Sequence, residues 1–470
     1  MSAAFLPAAE LADRYARRSL SPVEVTRELL ERIDRLDPQL RAWITLTPER
    51  AMDQARAAEA AIGRGEAPSP LCGVPVGIKD LIDVAGVRCT SGSRVRADHV
   101  PKRDAFVVER LARAGAVCLG KQNLHEFAYG VTSTNEAFGV CRNPWSMDRV
   151  PGGSSGGAGV ALAAGMTPLA IGTDTGGSIR IPAAACGVVG LKPTFGLVSR
   201  RGVFPLAWSL DHVGPMARTV ADAAALLAAI AVHDPEDPWC AEAPTEGFAG
   251  ATDLRGRRFG LLGAPLFADA EPVVASAVEE AAGTLESLGA LRVDLDTASL
   301  QHAYTAFHAM LATEASAIHE RTLRERPREY SALTRQALAR GFMVSAVDYV
   351  HARREQARVQ RSLERMLEEA EVLIAPSLPR TAPPIGEPMS REPAEAWNRW
   401  MPPFNLSGHP ALSLPCGFDR EGLPIGLQIV GRAFEDGRVL GWGAAYERET
   451  DWNQRRPAGF EREQTRAVDL

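Results

Sequence analysis

Two glycine-serine clusters and one lysine stand in contexts that suit proton transfer and acyl transfer. The lysine is Lys79, in Gly77-Ile-Lys-Asp80, and the clusters are Gly152-Gly-Ser-Ser-Gly-Gly157 and Gly176-Gly-Ser178. No charged residue lies between Arg149 and Asp174. Glycines without Cβ atoms let backbone N–H groups crowd one small site, and such donors are what a developing oxyanion requires. Serines there can serve as acceptors, relays or nucleophiles. A lysine base must be neutral, and burial disfavours its charged form. Being half neutral near pH 7.5 requires a shift of about 3 units, on the order of 4 kcal/mol. A surface lysine paired with an acid is the simpler reading of Lys79 taken alone.

Two other motifs resolve into ordinary structure. Gly152-Gly-Ser-Ser-Gly156 fits the G-x-S-x-G elbow, which requires a preceding strand and a later Asp and His. The residues before it, Asn143-Pro-Trp-Ser-Met-Asp-Arg-Val150, read as a loop, and His212, His302 and His409 sit in plain contexts. Gly115-Ala-Val-Cys-Leu-Gly-Lys121 imitates a phosphate-binding loop, but Gln122 stands where a Ser or Thr would hold Mg²⁺. Gly115 reads more simply as a helix C-cap. The seven cysteines show no metal spacing, so neither metal nor cofactor is expected, and free buried thiols in a reducing cytosol are.

Three segments together resemble the amidase signature family: Gly73-Val-Pro-Val-Gly-Ile-Lys-Asp80, Pro151-Gly-Gly-Ser-Ser-Gly-Gly157 and Gly172-Thr-Asp-Thr-Gly-Gly-Ser-Ile-Arg180. The likeness extends through Pro182–Pro193 and returns at Gly422-Leu-Pro-Ile-Gly-Leu-Gln-Ile-Val-Gly431. The resemblance implies a Ser-Ser-Lys triad, with Ser178 as nucleophile, Ser154 as relay after a cis peptide, and Lys79 as base. It further implies an oxyanion site on the N–H groups of Thr175, Gly176, Gly177 and Ser178, with Ser155, Asp174 and Arg180 as supports. The expected enzyme is an amidase acting on linear C–N bonds through an acyl-enzyme. A non-catalytic scaffold of the same fold is the alternative from another class.

One branch of the family is the glutamine-hydrolysing subunit of the tRNA-dependent amidotransferase, which works beside two partner subunits. That branch holds the free glutamine with an arginine and an aspartate, whose positions align near Gln356 and Asn398 here. A neutral pocket would leave a zwitterion's charges unpaired. The expectation is therefore a stand-alone serine amidohydrolase of uncharged, apolar or aryl amides. Anilides, esters and carbamates pass through the same oxyanion and remain open, so urethanase activity is a sub-hypothesis. Phe127, Tyr129, Trp208, Trp397, Trp400 and Met401 are the candidate substrate-binding residues, each weighed against ordinary core packing.

These groups must be positioned by an α/β architecture. Helical patterns over 11–36, 51–62, 105–114, 155–164, 220–232, 273–288, 303–318, 347–370 and 437–448 alternate with short apolar runs. That alternation predicts a single large α/β/α layered domain with a central mixed sheet covered by helices. Within it, 1–65 supplies N-terminal helices, 66–235 the catalytic core, 236–450 the substrate pocket, and 451–470 a polar tail expected to fray. The net charge of −6 argues against a general polyanion binder. No signal peptide or membrane span is evident. The partners expected are a small amide or carbamate and no nucleic acid, in a cytoplasmic monomer or homodimer.

Overall fold

The computed structural model describes residues 3–243, 247–390 and 396–460. The chain opens with α1 (Ala8–Ala16) and α2 (Pro22–Leu40), where one helix over 11–36 was expected. The break has a local cause. Arg18 takes a left-handed φ of 55°, and Ser21 is extended before Pro22. The Ser21 side chain then accepts from the N–H groups of Val23 and Glu24 and starts α2. β1 (Trp43–Leu46), α3 (Pro48–Arg64), β2 (Pro75–Lys79), α4 (Phe106–Arg113) and β3 (Val117–Gln122) follow, then the small hairpin β4 (Thr134–Asn135) and β5 (Gly139–Val140).

The core continues with α5 (Gly156–Ala163), β6 (Leu169–Asp174), α6 (Arg180–Cys186), β7 (Val189–Lys192), β8 (His212–Ala217) and α7 (Val220–Ile230). Every residue of α5 is buried. A side chain on Gly157 would meet Ala42 O at 2.4 Å and Asn123 O at 2.5 Å, so only glycine lets α5 approach that backbone. The second half contains β9 (Arg258–Leu262), α8 (Pro272–Ser287), β10 (Leu291–Leu295), α9 (Ala303–Glu325), α10 (Ala332–Gly341) and α11 (Ala346–Glu369). It ends with β11 (Val372–Pro376), α12 (Pro402–Leu406), β12 (Ala411–Phe418), β13 (Pro424–Gly431) and α13 (Asp436–Arg448). The end of the tail expected to fray, 461–470, lies outside the described residues.

Eleven strands form one mixed sheet in the order β1-β3-β2-β6-β8-β7-β12-β13-β11-β9-β10, with helices packed over it in the α/β manner. Its topology gathers the polar groups at one edge. β2 runs parallel to β3 and β6, which brings Lys79 opposite Gln122 and Lys121 opposite Ile78. β8 runs antiparallel to β6, so His212 faces Asp174 across the ladder. β7 runs antiparallel to β8, which sets its last residue, Lys192, at the same edge. Strand ends here are surrounded by loops and helices, so these charges are buried rather than solvated.

Candidate active site

Lys79 is wholly buried at the end of β2 and touches hydroxyls instead of a carboxylate. Its Nζ lies 2.7 Å from Ser154 Oγ, 2.8 Å from Ser155 Oγ and 2.8 Å from Thr173 Oγ1. Burial lowers its pKa to about 7, against the opposing pull of the Asp174 and Asp211 charges. A neutral amine has two N–H donors and one lone pair. Ser155 Oγ already donates to Thr173 O at 3.2 Å, so it accepts from Lys79. With Thr173 Oγ1 accepting the second N–H, the lone pair is left for the Ser154 hydroxyl. Thr173 is therefore part of the lysine's setting; it lies in the Gly172–Arg180 segment, where the sequence reading gave it no role.

The Ser154 loop is held by its backbone. The Gly153-Ser154 peptide is cis. Ser154 O accepts from His125 N at 3.1 Å and from Ser133 Oγ at 3.3 Å. Ser178 lies across from this loop, where its carbonyl accepts from Ser155 N at 3.1 Å. Lys79, Ser154 and Ser178 thus come together, with a hydrogen bond between the first two. Ser178 Oγ makes no hydrogen bond among the described residues and faces the cleft.

Asp174 shapes the loop that carries Ser178. Its Oδ1 accepts from Gly177 N at 2.8 Å and its Oδ2 from Ile179 N at 3.2 Å. Arg180 clamps the same carboxylate at 3.0 Å through both Nε and Nη2. Burial would raise the Asp174 pKa, but the Arg180 charge and these hydrogen bonds outweigh it and hold the carboxyl well below the usual range. Arg180 is itself satisfied by Gln428 at 2.6 Å and Asn405 at 2.7 Å. One expectation is corrected: Gly177 N–H is occupied by Asp174 and is not free for an oxyanion. The N–H groups of Thr175, Gly176 and Ser178 carry no hydrogen bond among the described residues. Gly177 also has φ +109°, and a Cβ there would meet Met401 at 2.6 Å.

Ser178, Thr175 and Gly176 open into a cleft of about 890 Å³ between the loop 125–134, α9, α10, residues 385–390 and Asn398. Of the six substrate-binding candidates, only Tyr129 lines it. Phe127 is buried beneath, packed against Phe204, His319 and Tyr330. Trp208 borders a smaller, adjoining cavity that shares Ala128, Thr175 and Leu206 with the cleft. Trp397 and Trp400 are core residues whose indole N–H groups donate to Arg380 O and Leu266 O. Met401 backs the Ser178 loop from behind.

The cleft is not neutral. Arg340 of α10 lines it and has no carboxylate within ion-pairing distance among the described residues. The other charged wall residue, Glu387, is tied to Arg380. Gln356 is not in the wall at all, since its amide donates to Leu406 O at 2.9 Å. Asn398 is in the wall, 3.5 Å from Gly176 O. His308 also faces the cleft, its ring tilted against Tyr304 with centroids 4.4 Å apart, and its pKa is lowered to about 4 by burial and then by Arg340. Among the described residues, no cluster of His, Cys, Asp and Glu could hold a metal ion.

The same chain matches the Amidase family over residues 24–440. It belongs to that family. This amidase is 41% identical to the A subunit of the glutamyl-tRNA(Gln) amidotransferase of Chloroflexus aggregans, over 94% of this chain and 96% of that protein. The solved A subunit from Thermotoga maritima superposes with a TM-score of 0.81 at 32% identity, covering 95% of each chain. A chain from a vestigial protein complex bearing on the origins of an s-triazine catabolic enzyme gives 0.88 at 35% identity, over 94% of this chain and 98% of that one.

These likenesses correct the expected branch. The amidase was expected to be a stand-alone enzyme for uncharged amides, on the ground of a neutral pocket. The curated relatives it matches at 39–41% identity over 94–96% of its length carry the name of the amidotransferase subunit instead. The physical error lay in placing the cation near Gln356, on α11, when the cleft's cation is on α10. Among the described residues, no helix is long and apolar enough to cross a membrane.

Proposed function

We propose that this amidase is the glutamine-hydrolysing subunit of a tRNA-dependent amidotransferase, with Ser178 as nucleophile, Ser154 as relay and Lys79 as base. The observation that carries the reading is the 41% identity, sustained over 94% of the chain, to the A subunit of a glutamyl-tRNA(Gln) amidotransferase. Arg340 supports it, because an unpaired guanidinium in the cleft suits the carboxylate of a free amino acid. Asn398 offers an amide oxygen, not a charge, toward an ammonium group. This replaces the expectation of a monomer or homodimer with no nucleic-acid partner. The relatives are subunits, and their name includes a glutamyl-tRNA(Gln). We take the cytoplasm as its compartment, since all seven cysteines are free and buried, as in a reducing milieu.

The chemistry runs through this chain's own groups. Neutral Lys79 takes the Ser154 proton as Ser154 takes that of Ser178. Ser178 Oγ bonds to the carboxamide carbon, and the N–H groups of Thr175, Gly176 and Ser178 receive the oxyanion. The proton returns through Ser154 to the leaving nitrogen, the C–N bond breaks and ammonia departs. Water then cleaves the ester by the same relay and releases glutamate.

The test is ammonia release from L-glutamine, measured alone and with the partner subunits, beside a panel of uncharged amides and anilides. Glutamine is expected to be the preferred substrate. Arg340→Gln is expected to raise its KM by about 10- to 100-fold, the loss of one charge-assisted pair. Glutamine left intact while uncharged amides turn over would overturn the reading.

A further inference from the structure

The catalytic proposal leaves a second buried lysine and a buried histidine unused. Lys192 and His212 are both fully enclosed at the sheet edge that carries Lys79 and Asp174. Lys192 Nζ lies 3.2 Å from His212 Nε2 and 3.1 Å from Pro193 O. The other ring nitrogen, His212 Nδ1, lies 3.1 Å from Asp174 O and 2.7 Å from Leu210 O. Two carbonyl oxygens accept only, so Nδ1 must bear the proton. Nε2 then accepts from Lys192, which has an N–H to give in either charge state. Burial, followed by the Lys192 charge, lowers the His212 pKa well below its usual value, so the ring stays neutral with that single tautomer.

The Nδ1 proton is shared between two carbonyls, Leu210 O being the nearer, and the second, Asp174 O, belongs to the peptide unit whose other end is Thr175 N–H. A trans peptide is planar, and its C=O and N–H point in opposite directions. Fixing the Asp174 carbonyl toward His212, with help from Asn405 Nδ2 at 3.3 Å, therefore fixes the direction of Thr175 N–H. That N–H has no hydrogen bond among the described residues, and Thr175 lines the cleft beside Ser178. Gly177 N–H is already taken by Asp174. The oxyanion site thus has one donor fewer than the sequence motif offers, and the aim of each remaining donor matters more.

We infer that His212, held in one tautomer by Lys192, is a positioning residue that aims the Thr175 N–H at the developing oxyanion. The inference rests on the reading of Ser178 as nucleophile. It predicts a defect in turnover and not in substrate binding, because the oxyanion exists only after attack.

The experiment compares His212→Leu, His212→Asn and Lys192→Met in the full chain with its partner subunits, using glutamine. The Asn amide can put an N–H where Nδ1 stands, whereas Leu cannot. His212→Leu should lose about 30- to 100-fold in kcat with KM within about threefold, approaching the loss of one oxyanion donor. His212→Asn should recover most of that loss, and Lys192→Met should fall between them. Labelling of Ser178 by a fluorophosphonate should slow in parallel, since it builds the same oxygen charge. If His212→Leu does not fold, the Asn and Met variants still decide, with melting curves beside the kinetics. A KM-only effect, an Asn variant no better than Leu, or Lys192→Met at parent kcat would each overturn the inference. Full activity in Ser178→Ala would instead overturn the underlying catalytic reading, so the two failures are distinguishable.

Discussion

Lys79 and Lys121 sit on neighbouring parallel strands, both fully buried, yet the protein puts them to opposite uses. Lys121 lies 3.1 Å from Asp80, and that carboxylate, with Cys89, outweighs the cost of burial and raises its pKa. Lys79 meets three hydroxyls and no carboxylate at hydrogen-bonding distance, so burial prevails and its pKa falls to about 7. Burial alone does not make a lysine a base. The neighbours decide, and the same sheet edge holds a permanent cation and a titrating amine on adjacent strands.

Substitution of each lysine's setting should separate these roles. Lys79→Met should lower kcat by several orders of magnitude, about 10⁴-fold or more as for other residues of a catalytic unit, with a smaller stability cost of about 1–3 kcal/mol from the buried Ser154, Ser155 and Thr173 hydroxyls that lose a partner. Asp80→Asn should do the reverse. It leaves the Lys121 charge buried without its partner and should cost about 3–5 kcal/mol of stability, read by denaturant melts. Activity lost in Asp80→Asn at unchanged stability, or stability lost in Lys79→Met at unchanged activity, would break the contrast.

The pH profile sharpens the same comparison with a smaller effect. In the proposed mechanism Lys79 acts as a base only when neutral, so kcat/KM should fall about tenfold per unit as pH drops below its pKa. The break should lie near 7, where burial places Lys79. Lys121, with its pKa raised above the ordinary value, stays charged throughout and should contribute no break. A conservative change at Lys121 that moved the break would show that the two amines are not independent.

The half that carries Lys79, Ser154 and Ser178 was legible because these residues lie in short contiguous motifs. Glycines that admit α5 to the backbone and serines beside them lie within a few residues of one another, and strand β2 announces itself by its apolar run. The strands β7 and β8 are harder to read, since Gly190, Gly214 and Pro215 interrupt the usual β-rich pattern. The cleft wall was less legible for another reason. Arg340 reads as one more arginine on an exposed helix, and only the packing of α10 against α9 turns it toward Ser178's cleft. Trp397 and Trp400 carry no mark that separates a core aromatic from a pocket aromatic. Asn405 and Gln428 brace Arg180 from more than 220 residues away, which no local spacing can reveal.

The most direct test traps the intermediate during glutamine turnover. The reaction is quenched in acid, the chain is digested, and the acylated peptide is identified by mass spectrometry. A γ-glutamyl ester on Ser178 is the predicted result, absent in Ser178→Ala and accumulating when deacylation is slowed. Steady ammonia release with the acyl group on Ser154 or any other residue, or with no acyl-enzyme under any quench, would contradict the account.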